Sequence, residues 1–124
     1  MGIITPGIKK LIEANAASLA TVNKNGIPHA IAVACIKVID DDIIITNTHI
    51  NETLKNLEAN NNVALAVWNK EWEKSCVGFE IKGRAKYYNS GQWVDFVKNL
   101  PDNEGCIVKG AIVIKAAKIK MLKS

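Results

Sequence analysis

The stretch IIITNTHINETLKNLEANNNVALAVW, residues 43–68, places a strand end and a helix start within a few residues of each other. Its first five residues, rich in β-branched side chains, predict a strand. The spacing of Leu54 and Leu57 predicts a helix from about Asn51 to Asn60, with both leucines on the buried side. Val63–Trp68, apolar on both faces, predicts the next strand. The unit is therefore strand, short loop, helix, strand.

The loop of this unit gathers groups that bind anions. Thr46 and Asn47 end the strand, and Asn51 and Thr53 begin the helix. The first turn of a helix adds free N–H groups and the positive end of the macrodipole, so these four residues are positioned to converge on a phosphate. The simpler alternative is that Asn51 or Thr48 only caps the helix. The local sequence leaves both interpretations open.

The remainder of the chain predicts four further strands and two further helices. The strands are expected at Ala17–Asn23, Pro28–Ile39, 76–88 and 109–122, and the helices at 6–15 behind a Thr5 cap and at 93–100 behind a Ser90 cap. Six strands and three short helices that do not alternate with them predict a mainly β fold, an antiparallel barrel with helical plugs. The length predicts a single domain over residues 1–124.

The predicted strand Pro28–Ile39 alternates small and bulkier side chains. Ala30, Ala32 and Ala34 share one face, and a row of small residues lets a flat group lie close to the backbone. The alternative is that a neighbouring element packs tightly there.

Composition and charge limit the classes of function. Hydrophobic residues make up 48%, which excludes a disordered chain, and the net charge is +4. The lysines are spread along the chain apart from a small excess near its end, at Lys115, Lys118, Lys120 and Lys123. This spread argues against nucleic acid and favours a phosphate-bearing small molecule. The start of the chain does not resemble a signal peptide, and no apolar run reaches the roughly 18 residues of a membrane span, so a cytoplasmic protein without a membrane partner is predicted. The three cysteines lack CxxC spacing, so no metal site is predicted.

No side chain qualifies as a catalytic residue. His29 and His49 lack an acid-and-nucleophile pattern or a paired-histidine motif, so each is interpreted as a solvated polar residue. Cys35 stays unassigned, because small buried cysteines usually serve packing.

The ordered motifs of the whole chain resemble the FMN-binding split-barrel family, which includes the pyridoxamine 5′-phosphate oxidases and small bacterial FMN-binding proteins. The resemblance spans residues 6 to 122. It is carried by Gly26-Ile27-Pro28-His29, the Ile-rich strand ending at Thr46, the Thr53, Asn56 and Leu57 helix motif, and Gly78, Phe79, Ile81, Gly83 and Ala85. It implies a six-stranded antiparallel split barrel that binds FMN between the two subunits of a homodimer.

The resemblance also implies a set of cofactor-binding residues. The strand at Val33, Ala34, Cys35 and Ile36 is similar to the one that lies along the flavin ring. Thr46 and Asn47 match positions that touch the phosphate or ribityl chain, and Asn51 and Thr53 match phosphate-binding positions.

One position departs from the family pattern. The family often has Lys immediately before the helix threonine, where this chain has Glu52. A carboxylate repels a phosphate, so two alternatives are open. Either Lys55, Lys82 or Arg84 supplies the compensating positive charge, or FMN binding is weaker or the ligand is a different one.

The function implied by the resemblance is an FMN-dependent oxidoreductase that takes electrons from a reduced nicotinamide or similar donor and passes them to an unknown acceptor. A non-enzymatic FMN electron carrier, or a protein of the same fold that binds haem or a deazaflavin, remains an alternative. Pyridoxamine phosphate oxidation is the least expected activity, because the chain ends KIKMLKS and lacks an Arg/His-rich C-terminal segment.

Overall fold

The computed structural model describes residues 2–122, so Lys123, one of the C-terminal lysines noted above, lies outside the described residues. The elements are α1 (Pro6–Ala14), β1 (Ala17–Val22), β2 (Pro28–Val33), β3 (Ile36–Ile39), β4 (Asp42–Asn47), α2 (Glu52–Ala59), β5 (Asn62–Trp68), β6 (Gly78–Tyr88), α3 (Gln92–Lys98), a 3₁₀ turn (Pro101–Asn103) and β7 (Gly110–Leu122). The strands form one antiparallel sheet in the order β2-β1-β5-β6-β7-β4-β3. Within residues 2–122, no helix has the length and hydropathy that crossing a membrane requires.

The two edges of this sheet are neighbours in the chain. Only Ala34 and Cys35 separate β2 at one edge from β3 at the other. A flat sheet of seven strands would hold its edges about 29 Å apart. The three Cα–Cα steps from Val33 to Ile36 reach at most about 11 Å. The sheet is therefore curled until its edges meet, which confirms the mainly β split-barrel fold.

The prediction of one long strand over Pro28–Ile39 is wrong, and the sheet has seven strands instead of six. Cys35 has φ 55°, in the left-handed region, and this residue ends the extended backbone. Val33 and Ile36 are both buried although they lie three residues apart, so the alternation of one continuous strand is broken between them.

The barrel interior is lined by aliphatic residues from every strand and from α1. The fully buried side chains are Ile12, Leu19, Ile36, Ile43, Ile45, Leu65, Val67, Ile81, Ile112 and Ile114. A second, smaller cluster lies where α3 covers the outer face of β4 and β7, around Ile44, Val97 and Val113. Burial of this apolar surface is the main stabilising contribution.

The helix caps follow the sequence prediction at one of two positions. Thr5 caps α1, since its hydroxyl accepts a hydrogen bond from the Ile8 N–H at 3.3 Å. The Ser90 cap of α3 is wrong: Gly91 is the N-cap, with φ 94°. That backbone conformation suits glycine, which has no Cβ to clash.

Strand pairing places five of the fifteen lysines, together with Arg84, on one outer surface. Lys82 lies opposite Lys118, and Arg84 opposite Lys115, on the solvent side of β6 and β7. Lys86 and Lys120 extend this surface, and with Glu80 it carries a charge of +5, more than the +4 of the whole chain. Part of the positive charge that is spread along the sequence is therefore gathered on one surface of the folded molecule, and the absence of a nucleic-acid partner stays a prediction.

The left-handed conformation of Cys35 generates a stability prediction. Cys35→Val should lower the free energy of unfolding by about 1–2 kcal/mol relative to Cys35→Gly, because a β-branched residue clashes in that region. Urea denaturation measures both values. The same pair of substitutions at Cys106, which is exposed and has no positive φ, should not favour glycine. Equal stability of the two Cys35 variants would contradict the strained link.

Candidate functional site

A cleft of about 580 Å³ lies where the barrel is split, within the size range of small-molecule sites. Four segments of the chain form it: β2 with the following link, the end of β4 with the loop after it, the first turn of α2, and the segment around the 3₁₀ turn. Its lining residues are His29, Ile31, Ala32, Val33, Ala34, Cys35, Thr46, Thr48, His49, Ile50, Asn51, Glu52, Thr53, Asp102, Asn103 and Cys106.

Six of the eight residues predicted to bind the cofactor line this cleft, namely Val33, Ala34, Cys35, Thr46, Asn51 and Thr53. Ile36 does not, because its side chain is buried in the barrel interior. Asn47 is also buried and shapes the loop instead. Its Nδ2 donates to the Tyr87 hydroxyl at 3.0 Å, and its Oδ1 accepts from the Ile50 N–H at 2.7 Å.

Thr53 has a buried hydroxyl without a hydrogen bond. The residue is 1% exposed, and its Oγ1 has no hydrogen-bond partner among the described residues. Leaving such a group unsatisfied costs about 1–3 kcal/mol. Thr53 lies in the first turn of α2, where backbone N–H groups also lack intrahelical acceptors. The corner therefore presents hydrogen-bonding groups that the protein itself leaves unused.

Helix α2 is fixed to the barrel by polar side chains. Asn56 donates from Nδ2 to the Thr21 hydroxyl on β1 at 2.9 Å, and both residues are buried. Leu54 and Leu57, predicted to form the buried side, are only partly buried. The buried positions of the helix are Thr53 and Asn56, and the Asn56 amide finds its partner inside the barrel at Thr21. Thr53, one turn earlier on the same buried side of α2, lines the cleft.

A histidine and a glutamate meet at the cleft. Nδ1 of His29 on β2 lies 2.9 Å from Oε2 of Glu52, the first residue of α2. The Glu52 side chain is 67% exposed and the His29 side chain 26%. His29, interpreted from the sequence as solvated, is therefore held in place by a contact between two segments of the cleft.

Among residues 2–122, no lysine or arginine lines the cleft of this chain. Lys82 and Arg84 lie on the outer surface of β6, and Lys55 is exposed on α2, so none of the three lines the cleft of its own chain, and their role as the compensating charge stays a prediction. Of the two carboxylates in the lining, Glu52 pairs with His29 and Asp102 lies 3.4 Å from Lys37.

Sequence reasoning missed the segment that closes the cleft beside β4. Asn103 is buried in the 3₁₀ turn, and its Nδ2 donates to the Thr46 hydroxyl at 3.0 Å and to the Val97 carbonyl at 2.8 Å. The only signal for it is the turn-forming Pro101-Asp102-Asn103 triplet, which says nothing of a contact 57 residues away.

The fold and the cleft define a split-barrel protein with a cleft of small-molecule size. The family model described as pyridoxamine 5′-phosphate oxidase matches residues 4–122, and the chain belongs to this family. An uncharacterized protein of Methanocaldococcus jannaschii, MJ0282, is 33% identical over 98% of this chain and 82% of its own length.

Solved structures share the fold at lower identity. HupZ of Group A Streptococcus has a TM-score of 0.87 at 24% identity, covering 98% of this chain and 96% of its own. An FMN-binding protein of Syntrophomonas wolfei has a TM-score of 0.77 at 22% identity, covering 94% and 84%. An F420 reductase has a TM-score of 0.73 at 20% identity, covering 94% of this chain and 98% of its own. The haem storage protein HutZ of Vibrio cholerae also has a TM-score of 0.73, at 17% identity, covering 98% of this chain and 95% of its own. The fold thus occurs with more than one kind of cofactor.

The buried amide of Asn103 generates the next prediction. Asn103→Ala should lower the free energy of unfolding by about 2 kcal/mol, because the Val97 carbonyl and the Thr46 hydroxyl both lose their donor. Chemical denaturation measures it. Asn99→Ala is the matched control, since the Asn99 amide also donates to a carbonyl of α3, at 2.8 Å, but on the exposed surface. A loss of the same size in both variants would contradict a special role for Asn103.

Proposed function

We propose that this protein is an FMN-binding flavoprotein that transfers electrons between a reduced nicotinamide or similar donor and a small-molecule acceptor, as a cytoplasmic homodimer. The observation that carries the proposal is the buried Thr53 hydroxyl, which has no partner among the described residues and lines a cofactor-sized cleft. Family membership and the FMN-binding relative of the same fold support the choice of a flavin.

The residues of the cleft fit a flavin with a phosphorylated side chain at two places. The first is the corner of Thr46, Asn51 and Thr53, where a hydroxyl and the first turn of α2 offer hydrogen bonds to a phosphate. The second is the link at Ala34 and Cys35, where small exposed side chains leave the backbone accessible to a flat ring. In this proposal Val33 packs beneath the ring from the end of β2.

A bound flavin would supply hydride acceptance and electron transfer, so the protein needs no acid or base of its own. The tasks of the chain are to bind, to orient and to exclude water. Asn103 and Asn47 hold the two loops beside the corner, and Asn56 fixes α2. We assign no catalytic residue.

A deazaflavin cofactor is the second candidate. The observation that favours it is the fold, which an F420 reductase shares at a TM-score of 0.73. A non-enzymatic flavin carrier would use the same cleft.

The visible spectrum of the purified protein tests the proposal, followed by titration with FMN. Oxidised flavin peaks, or uptake of added FMN, support it. A Soret band indicates haem, and failure to bind FMN at all would sink the proposal. Bleaching of the bound flavin by NADH or NADPH in stopped flow separates an enzyme from a carrier.

Thr53→Val should weaken FMN binding by about 1–3 kcal/mol, because valine keeps the shape and removes the hydroxyl. The same substitution should leave the free energy of unfolding of the free protein unchanged or raise it, since the hydroxyl makes no hydrogen bond there. Fluorescence titration and urea denaturation measure the two effects.

Thr21→Val is the matched control for this test. The Thr21 hydroxyl accepts a hydrogen bond from Asn56, so its loss should destabilise the free protein by about 1–2 kcal/mol. If Thr53→Val behaves like Thr21→Val and leaves FMN affinity unchanged, Thr53 is a structural residue only.

A further inference from the structure

We propose that Glu52, held by His29, sets the ligand charge that the corner at Thr53 accepts. The carboxylate disfavours a phosphate dianion, so its repulsion offsets the affinity that the Thr53 hydroxyl gives to the phosphate of FMN, and flavins with a less negative end group bind comparably. This inference rests on the proposed function for the identity of the ligand, a flavin, whereas the position of the Glu52 carboxylate is taken from the structure.

Glu52 carries its charge at the end of α2 where a phosphate would also be favoured. It is the first residue of the helix, at the end where a negative charge gains from the macrodipole. Glu52 and Thr53 line the same cleft, and the Thr53 hydroxyl has no hydrogen-bond partner among the described residues. A phosphate bound at Thr53 therefore shares the cleft with a like charge.

His29 makes this carboxylate a fixed feature of the cleft. A free glutamate on an exposed helix turn can rotate away from an incoming anion, at the cost of side-chain entropy alone. The 2.9 Å contact with Nδ1 of His29 ties Glu52 to β2 across the cleft. Neutral imidazole can donate this hydrogen bond, so the contact does not depend on a charge on His29.

The other charged groups of the cleft do not offset Glu52. In the part of the chain that the structure describes, the remaining titratable side chains of its lining are His49, Asp102, Cys35 and Cys106, and none of them is a lysine or an arginine. A phosphate monoester carries a charge of about −1.5 to −2 at pH 7. The end group of riboflavin carries none, so the two flavins differ at this corner only in the group that Glu52 repels.

The test compares FMN and riboflavin in fluorescence titrations of the wild type, Glu52→Gln and Glu58→Gln at low salt. Glutamine keeps the hydrogen-bond acceptor for His29 and removes the charge. Glu52→Gln should raise FMN affinity about tenfold and change riboflavin affinity less than twofold. Glu58 lies near the other end of α2 and is exposed, so Glu58→Gln removes the same charge away from the corner and should change neither affinity beyond about twofold.

A second measurement works without flavin. Inorganic phosphate should raise the thermal unfolding midpoint of Glu52→Gln, and raise it less in the wild type and in Glu58→Gln. The inference is overturned if phosphate raises the unfolding midpoint equally in the wild type and both variants. It is also overturned if Glu52→Gln and Glu58→Gln shift FMN affinity equally, or if the wild type binds FMN 100-fold more tightly than riboflavin. If no variant binds a flavin, the proposed function fails, while the phosphate measurement still decides the role of Glu52.

Discussion

A link of two residues between opposite edges of one sheet is the constraint on which the structure depends. Ala34 and Cys35 can join β2 to β3 only if the sheet curls through its full width, and the aliphatic interior fills the volume that this curl encloses. The link is also a wall of the cleft. The same two residues therefore close the barrel and line the cleft, so a substitution at Ala34 or Cys35 affects both.

Much of the fold is predictable from the sequence, because strands and helices follow local periodicity. The exception is Pro28–Ile39, where Cys35 adopts a left-handed conformation that its residue type does not announce, unlike Gly26 in the preceding turn. The corner at Thr46 and Thr53 is equally local, since a strand end and a helix start are close in sequence. The contacts of Asn103 with Thr46 and of His29 with Glu52 join segments far apart in the chain, and no local pattern contains them.

The cleft combines groups that attract a ligand with groups that limit it. The hydroxyl of Thr53 has no hydrogen-bond partner among residues 2–122, a cost in stability that binding can recover. Glu52 acts in the opposite direction, and within the same described range no lysine or arginine lines the cleft beside it. The positive charge of the molecule lies instead on the outer surface of β6 and β7, where like charges face each other across the strands.

The position of β7 makes the barrel depend on one strand that is far along the chain from its partner β4. β7 lies between β6 and β4, and among residues 2–122 it alone pairs the β3–β4 hairpin with the other strands of the sheet. Without β7, the described strands divide into a four-stranded sheet and a separate hairpin, joined by the link at Ala34 and Cys35. Because the pairing of β4 with β7 closes a long loop of chain, the sheet is completed by a contact between residues distant in sequence, which is the kind of pairing that slows folding.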